Sequence, residues 1–120
     1  MSQNNAPMKP TRIDYIEISV TDVEKSKRFY SDAFSWTFED YGPDYASFDC
    51  GNLKGGLAKA GNIPRGGVLV VLYAEDLAGM EKRLAAAGGK ITRAAFAFPG
   101  GRRFHFSDPS GNELAVWSER

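Results

Sequence analysis

A tight turn that leads directly into a strand, within residues 108–117, is the feature that most constrains how this chain can fold. Pro109 presets φ for a turn, and Gly111 or Asn112 can supply a positive φ. The carboxylate of Asp108 can accept hydrogen bonds from the turn backbone. The flanking segments, 104–107 and 113–117, are therefore predicted to pair as a hairpin.

A shorter copy of this pattern, from Asp49 to Asn52, lies upstream and is followed by the apolar segment 53–58. The junctions between strand and helix also repeat, because Ile18–Val23 and Leu72–Leu77 both run from an apolar strand into a capped helix. Such self-similarity indicates two copies of one unit, which form a pseudo-symmetric domain.

Each half is predicted to contain one strand, one helix and then three strands. The predicted strands are Tyr15–Val20, Trp36–Asp40, Tyr45–Asp49 and Lys54–Lys59, then Val68–Ala74, Lys90–Phe96, Arg103–Ser107 and Glu113–Ser118, with helices at Asp22–Phe34 and Asp76–Ala87. Thr21 and Glu24 fit a capping box for the first helix, and Asp76 can cap the second, which Gly88-Gly89 ends. Both helices carry an apolar face that should pack on a sheet.

The composition permits one compact domain, because 42% of the 120 residues are hydrophobic. We expect a flexible tail over residues 1–12 and a single domain over 13–120, made of modules 13–60 and 67–120. Fifteen basic and fifteen acidic side chains cancel, so neither nucleic acid nor a membrane is a predicted partner. No apolar run approaches the roughly 20 residues of a membrane span, and we expect a soluble cytoplasmic protein.

Cys50 is the only cysteine, which excludes an intrachain disulfide and a multi-cysteine zinc site. No base is visible beside it, so we interpret it as a small side chain at a strand end rather than a nucleophile. The glycine-containing loops 64–67 and 99–101 have no phosphate-binding or dinucleotide-binding pattern, and no nucleotide cofactor is expected.

Four motifs spread over nearly the whole chain carry a family resemblance: Ile18-x-Val20-x-Asp22 with Arg28-Phe-Tyr, Phe34-x-Trp-x-Phe, Gly55-Gly-Leu-Ala and Phe106-x-Asp-Pro-x-Gly-Asn. With these motifs the chain resembles the vicinal-oxygen-chelate superfamily, which includes glyoxalase I, extradiol dioxygenases and bleomycin-resistance proteins. The resemblance implies an α+β fold in which two βαβββ modules curl their mixed sheets around a shared cleft, with the helices outside. It also implies a homodimer, since related small proteins commonly pair to complete or shield their open sheets.

Alternation along the predicted strands assigns side chains to the cleft, because the apolar face of each strand must meet a helix. In the first strand Ile16, Ile18 and Val20 take the helix side. The side chains predicted to face the cleft are Tyr15, Glu17 and Ser19, then Leu69, Val71 and Tyr73, then Glu113, Ala115 and Trp117.

Metal-dependent relatives place their ligands on the first, fourth, fifth and eighth strands, commonly as two histidines with one or two glutamates. The corresponding positions here hold Tyr15, Leu69, Gly55 and Ala115. None of the four is a good metal ligand. We therefore expect the fold and its cleft without the usual metal and without a cofactor.

Glu17 is the strongest catalytic candidate, because it lies in mid-strand among apolar residues, where an unpaired carboxylate is costly to bury. It can act as a general base, or it can be held by a structural hydrogen bond to Tyr15, Tyr73 or an arginine. Glu113 is the second carboxylate predicted to face the cleft. The alternative interpretation is a solvated residue at the start of a strand. A metal site built from Glu17, His105 and Glu113 is a less favoured alternative.

His105, the only histidine, follows Arg102 and Arg103 in the seventh strand. With Arg103 it is predicted to point to one face while Phe104 and Phe106 occupy the other. We favour a solvated or interface histidine over a catalyst. The two arginines can bind an anionic ligand or simply charge the hairpin.

Tyr15, Tyr73 and Trp117 would give the cleft an apolar lining with hydroxyl and indole groups, suited to a flat or partly apolar molecule. We therefore predict a small-molecule-binding protein of the glyoxalase and bleomycin-resistance type. One alternative is a lyase, isomerase or dioxygenase that uses Glu17 as base or an atypical metal site. The other is a non-catalytic interaction subunit whose cleft is filled by its own side chains.

Overall fold

The computed structural model describes Pro10 and residues 12–120. Its elements in chain order are β1 (Tyr15–Val20), α1 (Val23–Phe34), β2 (Thr37–Asp40), β3 (Tyr45–Asp49), β4 (Lys54–Lys59), β5 (Val70–Tyr73), α2 (Leu77–Ala86), β6 (Lys90–Phe98), β7 (Gly101–Ser107) and β8 (Glu113–Ser118). The predicted order of strand, helix and three strands is thus confirmed in both halves. Of the predicted tail, 1–12, only Pro10 and Arg12 lie within the described residues, so its flexibility stays a prediction.

The eight strands form two four-stranded sheets, which do not close into one barrel. The first sheet has the order β1-β4-β3-β2, and the second repeats it as β5-β8-β7-β6. In each sheet the first strand pairs with the fourth in parallel, and the remaining pairs are antiparallel. Each sheet therefore has two edge strands, which pair on one side only: β1 and β2 in the first sheet, and β5 and β6 in the second. In the part of the chain that is described, neither helix is long and apolar enough to cross a membrane.

The helix-facing side chains of both sheets meet in one aromatic-rich core. Its sheet residues include Ile18, Val20, Phe48 and Leu57 from the first module and Phe104, Phe106, Leu114 and Val116 from the second. Trp36 stacks on Tyr30 with ring centres 4.7 Å apart and on Phe48 at 4.4 Å. Phe29 of α1 lies 6.2 Å from Phe106 of β7, so the first helix packs on strands of both modules.

Aspartates begin both helices. Asp22 and Asp76 each accept a hydrogen bond at 3.0 Å from the backbone N–H three residues later, which confirms the predicted cap of α2. The capping box predicted from Thr21 and Glu24 is wrong, because Asp22 already supplies the oxygen. The backbone N–H of Thr21 instead donates to Ser110 Oγ of the other module at 2.8 Å.

The predicted turn between β7 and β8 is confirmed, and its carboxylate is buried. Asp108 is only 4% exposed, and its Oδ1 accepts the backbone N–H groups of Ser110 at 3.0 Å and Asn112 at 2.8 Å. Gly111 supplies the positive φ, at +95°. A residue with a Cβ would be strained there.

The same turn connects the second module to the first through two hydrogen bonds. The hydroxyl of Tyr30 in α1 donates to Asp108 Oδ2 at 2.8 Å, and the side-chain amide of Asn112 donates to the carbonyl of Ser19 in β1 at 2.8 Å. Burial, together with the Asp108 carboxylate, raises the pKa of the Tyr30 hydroxyl.

We expect Tyr30→Phe to lower the free energy of unfolding by about 1 kcal/mol near neutral pH, since it removes one buried hydrogen bond and leaves a carboxylate oxygen short of a donor. An unfolded tyrosine ionises near pH 10, below the raised folded pKa of Tyr30. Ionisation therefore favours the unfolded chain as the pH rises above about 10, and the variant should lose this part of the alkaline destabilisation. Urea unfolding across the pH range measures both effects.

The exposed Tyr41→Phe serves as the control near neutral pH and should change stability little. A Tyr30→Phe variant as stable as the parent would show that the bond to Asp108 does not hold the modules together.

Candidate functional site

The side of the second sheet that faces away from the core carries most of the predicted site residues. We call it the second cleft face, and it comprises Tyr73 of β5, Arg103 and His105 of β7, and Glu113, Ala115 and Trp117 of β8. Phe104 and Phe106 are fully buried on the opposite side, which confirms the predicted phase of β7. Arg103 and His105 therefore lie two residues apart on the same side of β7.

His105 and Glu113 form a hydrogen-bonded pair on this face. His105 Nδ1 lies 2.8 Å from Glu113 Oε2, and the residue is 7% exposed. Because an ionised carboxylate only accepts hydrogen bonds, the geometry assigns the Nδ1 proton to this bond and leaves Nε2 free. Nε2 is buried and has no hydrogen-bond partner among the described residues. A carboxylate on one ring nitrogen fixes the orientation and tautomer of the other, as in sites where histidine exchanges a proton.

Arg103 offers a second unpartnered nitrogen on the same face. Its Nε is buried and finds no hydrogen-bond partner within the described chain. Its guanidinium carbon lies 5.3 Å from the ring centre of Phe96 and 5.7 Å from that of Phe98, so aromatic rings flank the charge. A buried polar group without a partner costs about 1–3 kcal/mol. Two such nitrogens on the same face of one strand favour a ligand that carries hydrogen-bonding atoms.

Aromatic side chains line a cavity that Arg103 also borders. Trp117 meets Tyr73 edge to face at 5.0 Å and Phe98 at 6.1 Å. The cavity measures about 360 Å³ and is lined by Val71, Phe98, Pro99, Gly100, Arg103, Trp117 and Glu119. The hydroxyl of Tyr73 donates to Glu119 Oε1 at 3.0 Å, and this bond, together with partial burial, raises the pKa of Tyr73. The Tyr73 hydroxyl is therefore already hydrogen bonded within the chain.

The strand next to His105 is irregular. The register between β6 and β7 shifts twice, between Ile91 and Arg93 and between Arg93 and Phe96. The Arg93 guanidinium lies 3.8 Å over the Phe96 ring, whose centre is 5.9 Å from that of His105. Bulges of this kind re-aim side chains and recur beside functional sites. The sequence analysis missed Phe96 and Phe98, although their spacing of two in a strand was the signal for a shared face.

The first sheet presents Tyr15 and Glu17 on its outward side, as predicted. The Tyr15 and Tyr45 hydroxyls are hydrogen bonded to each other. This bond, then partial burial and the nearby Glu17 carboxylate raise the pKa of Tyr45. A Cβ atom on Gly56 would collide with the Tyr45 hydroxyl, so the glycine makes room for the tyrosine pair. Tyr45 was missed because its partner lies on a different strand, and the sequence alone does not give that register.

Glu17 is exposed to solvent, so the expectation of a buried carboxylate is wrong. β1 is the edge strand of an open sheet, and the neighbour of Glu17 on β4 is Gly56, which has no side chain to cover it. Glu17 and Glu113 nevertheless border the same cavity of about 200 Å³ between the modules. His105 and Glu113 thus form a hydrogen-bonded pair, and Glu113 and Glu17 line one cavity.

One of the four metal-ligand positions implied by the family resemblance was assigned to the wrong residue. A Cβ atom on Gly55 would collide with the carbonyl oxygen of Ile16 and the ring of Phe48, so Gly55 points into the core. Gly56 is the residue of β4 that faces outward. The error came from counting forward from the Gly-Asn pair without allowing for the shorter first turn.

The side chains at these positions do not fit a divalent metal ion. They are Tyr15, Leu69, Gly56 and Ala115, which offer no imidazole and no carboxylate. In residues 12–120, no three or more His, Cys, Asp and Glu side chains lie close enough together to hold a metal. The alternative site from Glu17, His105 and Glu113 is therefore not assembled.

Comparisons with known proteins agree with this fold. The family model of the Glyoxalase/Bleomycin resistance protein/Dioxygenase superfamily matches residues 12–116. A glyoxylase-like domain-containing protein of Didymella fabae is 29% identical, with 88% of this chain and 91% of that protein covered. A glyoxalase-related enzyme from Fulvimarina pelagi superposes with a TM-score of 0.77 at 23% identity, covering 91% and 88% of the two chains.

A fosfomycin resistance protein, FosX, from Listeria monocytogenes is also similar. Its E126Q mutant, in complex with Mn(II) and 1S,2S-dihydroxypropylphosphonic acid, superposes with a TM-score of 0.79 at 16% identity, covering 92% of this chain and 91% of that one. At these identities the solved structures establish the shared fold alone.

The two carboxylates that line the 200 Å³ cavity should differ in their effect on stability. We expect Glu113→Ala to lower the free energy of unfolding by about 1–2 kcal/mol, because it leaves both ring nitrogens of buried His105 without a partner. Glu17→Ala should change it by less than about 0.5 kcal/mol, as an exposed substitution does. Glu113→Gln keeps an acceptor oxygen and should recover most of the loss. Urea unfolding of the three variants is the measurement, and equal losses at Glu17 and Glu113 would contradict the assignment.

Proposed function

We propose that this chain, which belongs to the Glyoxalase/Bleomycin resistance protein/Dioxygenase superfamily, binds a small, partly apolar anion on its second cleft face without the usual metal centre. The observation that carries the proposal is the pair of buried, unpartnered nitrogens, Arg103 Nε and His105 Nε2, on one aromatic surface. A ligand that places an acceptor oxygen against Arg103 Nε and a hydroxyl donor against His105 Nε2 removes an energetic cost already present in the free protein.

The chemistry of the surface defines the ligand. Arg103 is permanently charged and favours a carboxylate, phosphate or phosphonate oxygen. Trp117 and Phe98 offer flat apolar surface, which suits an aromatic or planar unsaturated body. The adjoining cavity of about 360 Å³ falls in the usual size range of small-molecule sites, roughly 300–1,000 Å³. This free volume also gives less support to an interaction subunit with a self-filled cleft.

The FosX neighbour is described in complex with a phosphonic acid and Mn(II). Within residues 12–120 of the present chain, no three His, Cys, Asp or Glu side chains lie close enough together to hold such an ion. Arg103 supplies the positive charge for an anion instead.

A second candidate function, proton transfer in a lyase or isomerase, is favoured by the His105–Glu113 pair. Glu113 would orient the ring, and Nε2 would take a proton from a ligand held at Arg103. Glu17, the base predicted from sequence, is the weaker candidate because water already solvates its carboxylate. In this case His105→Gln would abolish turnover while Arg103 still held the ligand. Equal loss of binding would assign His105 to ligand contact alone.

We expect small aromatic carboxylates and phosphonates to raise the melting temperature, while their neutral amides or alcohols do so less. At a ligand concentration 100 times Kd the stabilisation is about 2.7 kcal/mol, which a thermal shift assay detects readily. Arg103→Gln should weaken anion binding about tenfold or more, the size of a charge-assisted hydrogen bond. Arg102→Gln, an exposed neighbour on the same strand, is the matched control. Equal shifts from anions and their neutral analogues would remove the proposal.

We expect the purified protein to contain far less than one transition-metal ion per chain, because the family's ligand positions carry no suitable donor atoms. Elemental analysis by mass spectrometry measures this directly, with and without prior treatment with a chelator. Nickel, zinc, iron or manganese at about one per chain, lost in Glu17→Ala, would overturn the metal-free assignment.

We further propose that the chain forms a homodimer through the apolar residues that precede β5. Val68 and Leu69 are 88% and 36% exposed, and neither lines the cavity of about 360 Å³ beside Arg103. The hydrogen-bonding edge of β5 is unpaired as well. Apolar side chains beside a free strand edge favour association with a second copy.

Sedimentation velocity at tens of micromolar, on the order of ordinary weak-dimer affinities, should show the dimer. Val68→Glu should shift the protein to monomer, because it places a charge in the proposed contact. Tyr41→Glu changes an exposed aromatic residue of the first module and should leave the dimer intact. A parent protein that sediments only as monomer would contradict the proposal.

A further inference from the structure

A cavity of about 500 Å³ lies between the modules on the helix side of the sheets, away from the unpartnered nitrogens. Neither Arg103 nor His105 lines it. Its wall comes from both modules and is mostly apolar, with Ile16, Phe34 and Trp36 from the first and Val70, Leu72 and Met80 from the second. It is larger than the cavities of about 360 and 200 Å³ described above, and it adjoins the first at Val71 and the second at Val70.

The apolar wall of this cavity is incompletely covered by the protein itself. Ile16, Phe34, Val70, Leu72 and Met80 pack against the core but stay only partly buried. Well-packed interiors leave few voids larger than a water molecule, and apolar cavities of this kind accept apolar guests. A volume of about 500 Å³ lies in the middle of the range that small-molecule sites occupy.

The guanidinium group of Arg83 lies at the rim of the cavity. Arg83 of α2 donates through Nε to the carbonyl oxygen of Asp32 at 3.2 Å and through Nη2 to Ser35 Oγ at 2.9 Å. These bonds hold the guanidinium against the end of α1 but use only two of its five N–H donors. Within residues 12–120 it forms no ion pair. A fixed, charged group with spare donors beside apolar walls matches an amphiphilic anion.

We infer that this cavity binds a second class of ligand, a small aliphatic carboxylate. The apolar body lies between β1 and β5 against Trp36, and the carboxylate accepts hydrogen bonds from Arg83. The inference does not rest on ligand binding at the second cleft face, since Arg83 and Trp36 carry this site while Arg103 and His105 carry the other, although Val71 borders both cavities.

Trp36 provides a local readout of this site. It is stacked between Tyr30 and Phe48, and the chain has only one other tryptophan, Trp117, on the second cleft face. In a Trp117→Phe background, fluorescence therefore reports on Trp36 alone. The probes are octanoate and the neutral 1-octanol of equal chain length.

Octanoate should change Trp36 fluorescence saturably, and Arg83→Gln should weaken its binding about tenfold while leaving 1-octanol unaffected. Arg83→Lys keeps the charge and should restore most of the octanoate affinity. Leu72→Phe fills the cavity and should weaken both probes, which tests the site even where Arg83→Gln disturbs the contact between the helices.

Absence of a saturable signal, equal octanoate affinity in the parent and a folded Arg83→Gln protein, or undiminished binding in Leu72→Phe would each overturn the inference. Octanoate binding that is lost in Arg103→Gln but retained in Arg83→Gln would place the probe at the second cleft face instead.

Discussion

The buried carboxylate of Asp108 is the group on which the arrangement of the two modules depends. It accepts backbone hydrogen bonds that close the turn between β7 and β8, and the Tyr30 hydroxyl from the helix of the other module. A buried carboxylate is stable only when its oxygens are satisfied, so the turn and the contact between modules must form together. Because the turn also sets the register of β7 on β8, it fixes the position of His105 relative to Glu113 as well.

Both proposed sites border β5, and the reason is topological. The strand pairs with β8 on one side only, so its other edge and the gap toward β1 are left open. All four residues of β5, Val70–Tyr73, border the cavity of about 500 Å³, and Val71 also borders the cavity of about 360 Å³ on the second cleft face. A short strand with a free edge thus exposes apolar surface in two directions. Each direction needs a partner, which a ligand or a second copy of the chain can supply.

Much of the fold follows from the sequence because its signals are local. The Asp108 turn, the Asp76 cap and the alternation in β1 and β7 depend on neighbouring residues, and all are found as predicted. The errors concern contacts between distant segments. The capping oxygen comes from Asp22 rather than Thr21, whose N–H is taken by the other module. The solvation of a strand residue likewise depends on whether its sheet is closed, and periodicity does not report that.

In the candidate site, too, local signals were predicted from the sequence and contacts between distant segments were not. Alternation places Arg103 and His105 on one face, but only the structure shows that both carry a buried nitrogen without a partner. That result favours β7 over β1 as the centre of the proposed site. Ala115, at the position where a relative would hold a metal ligand, is fully buried and lies opposite His105 in the register. A small side chain there leaves room above the sheet for the imidazole, so the loss of the ligand and the gain of the histidine pair are complementary features of one surface.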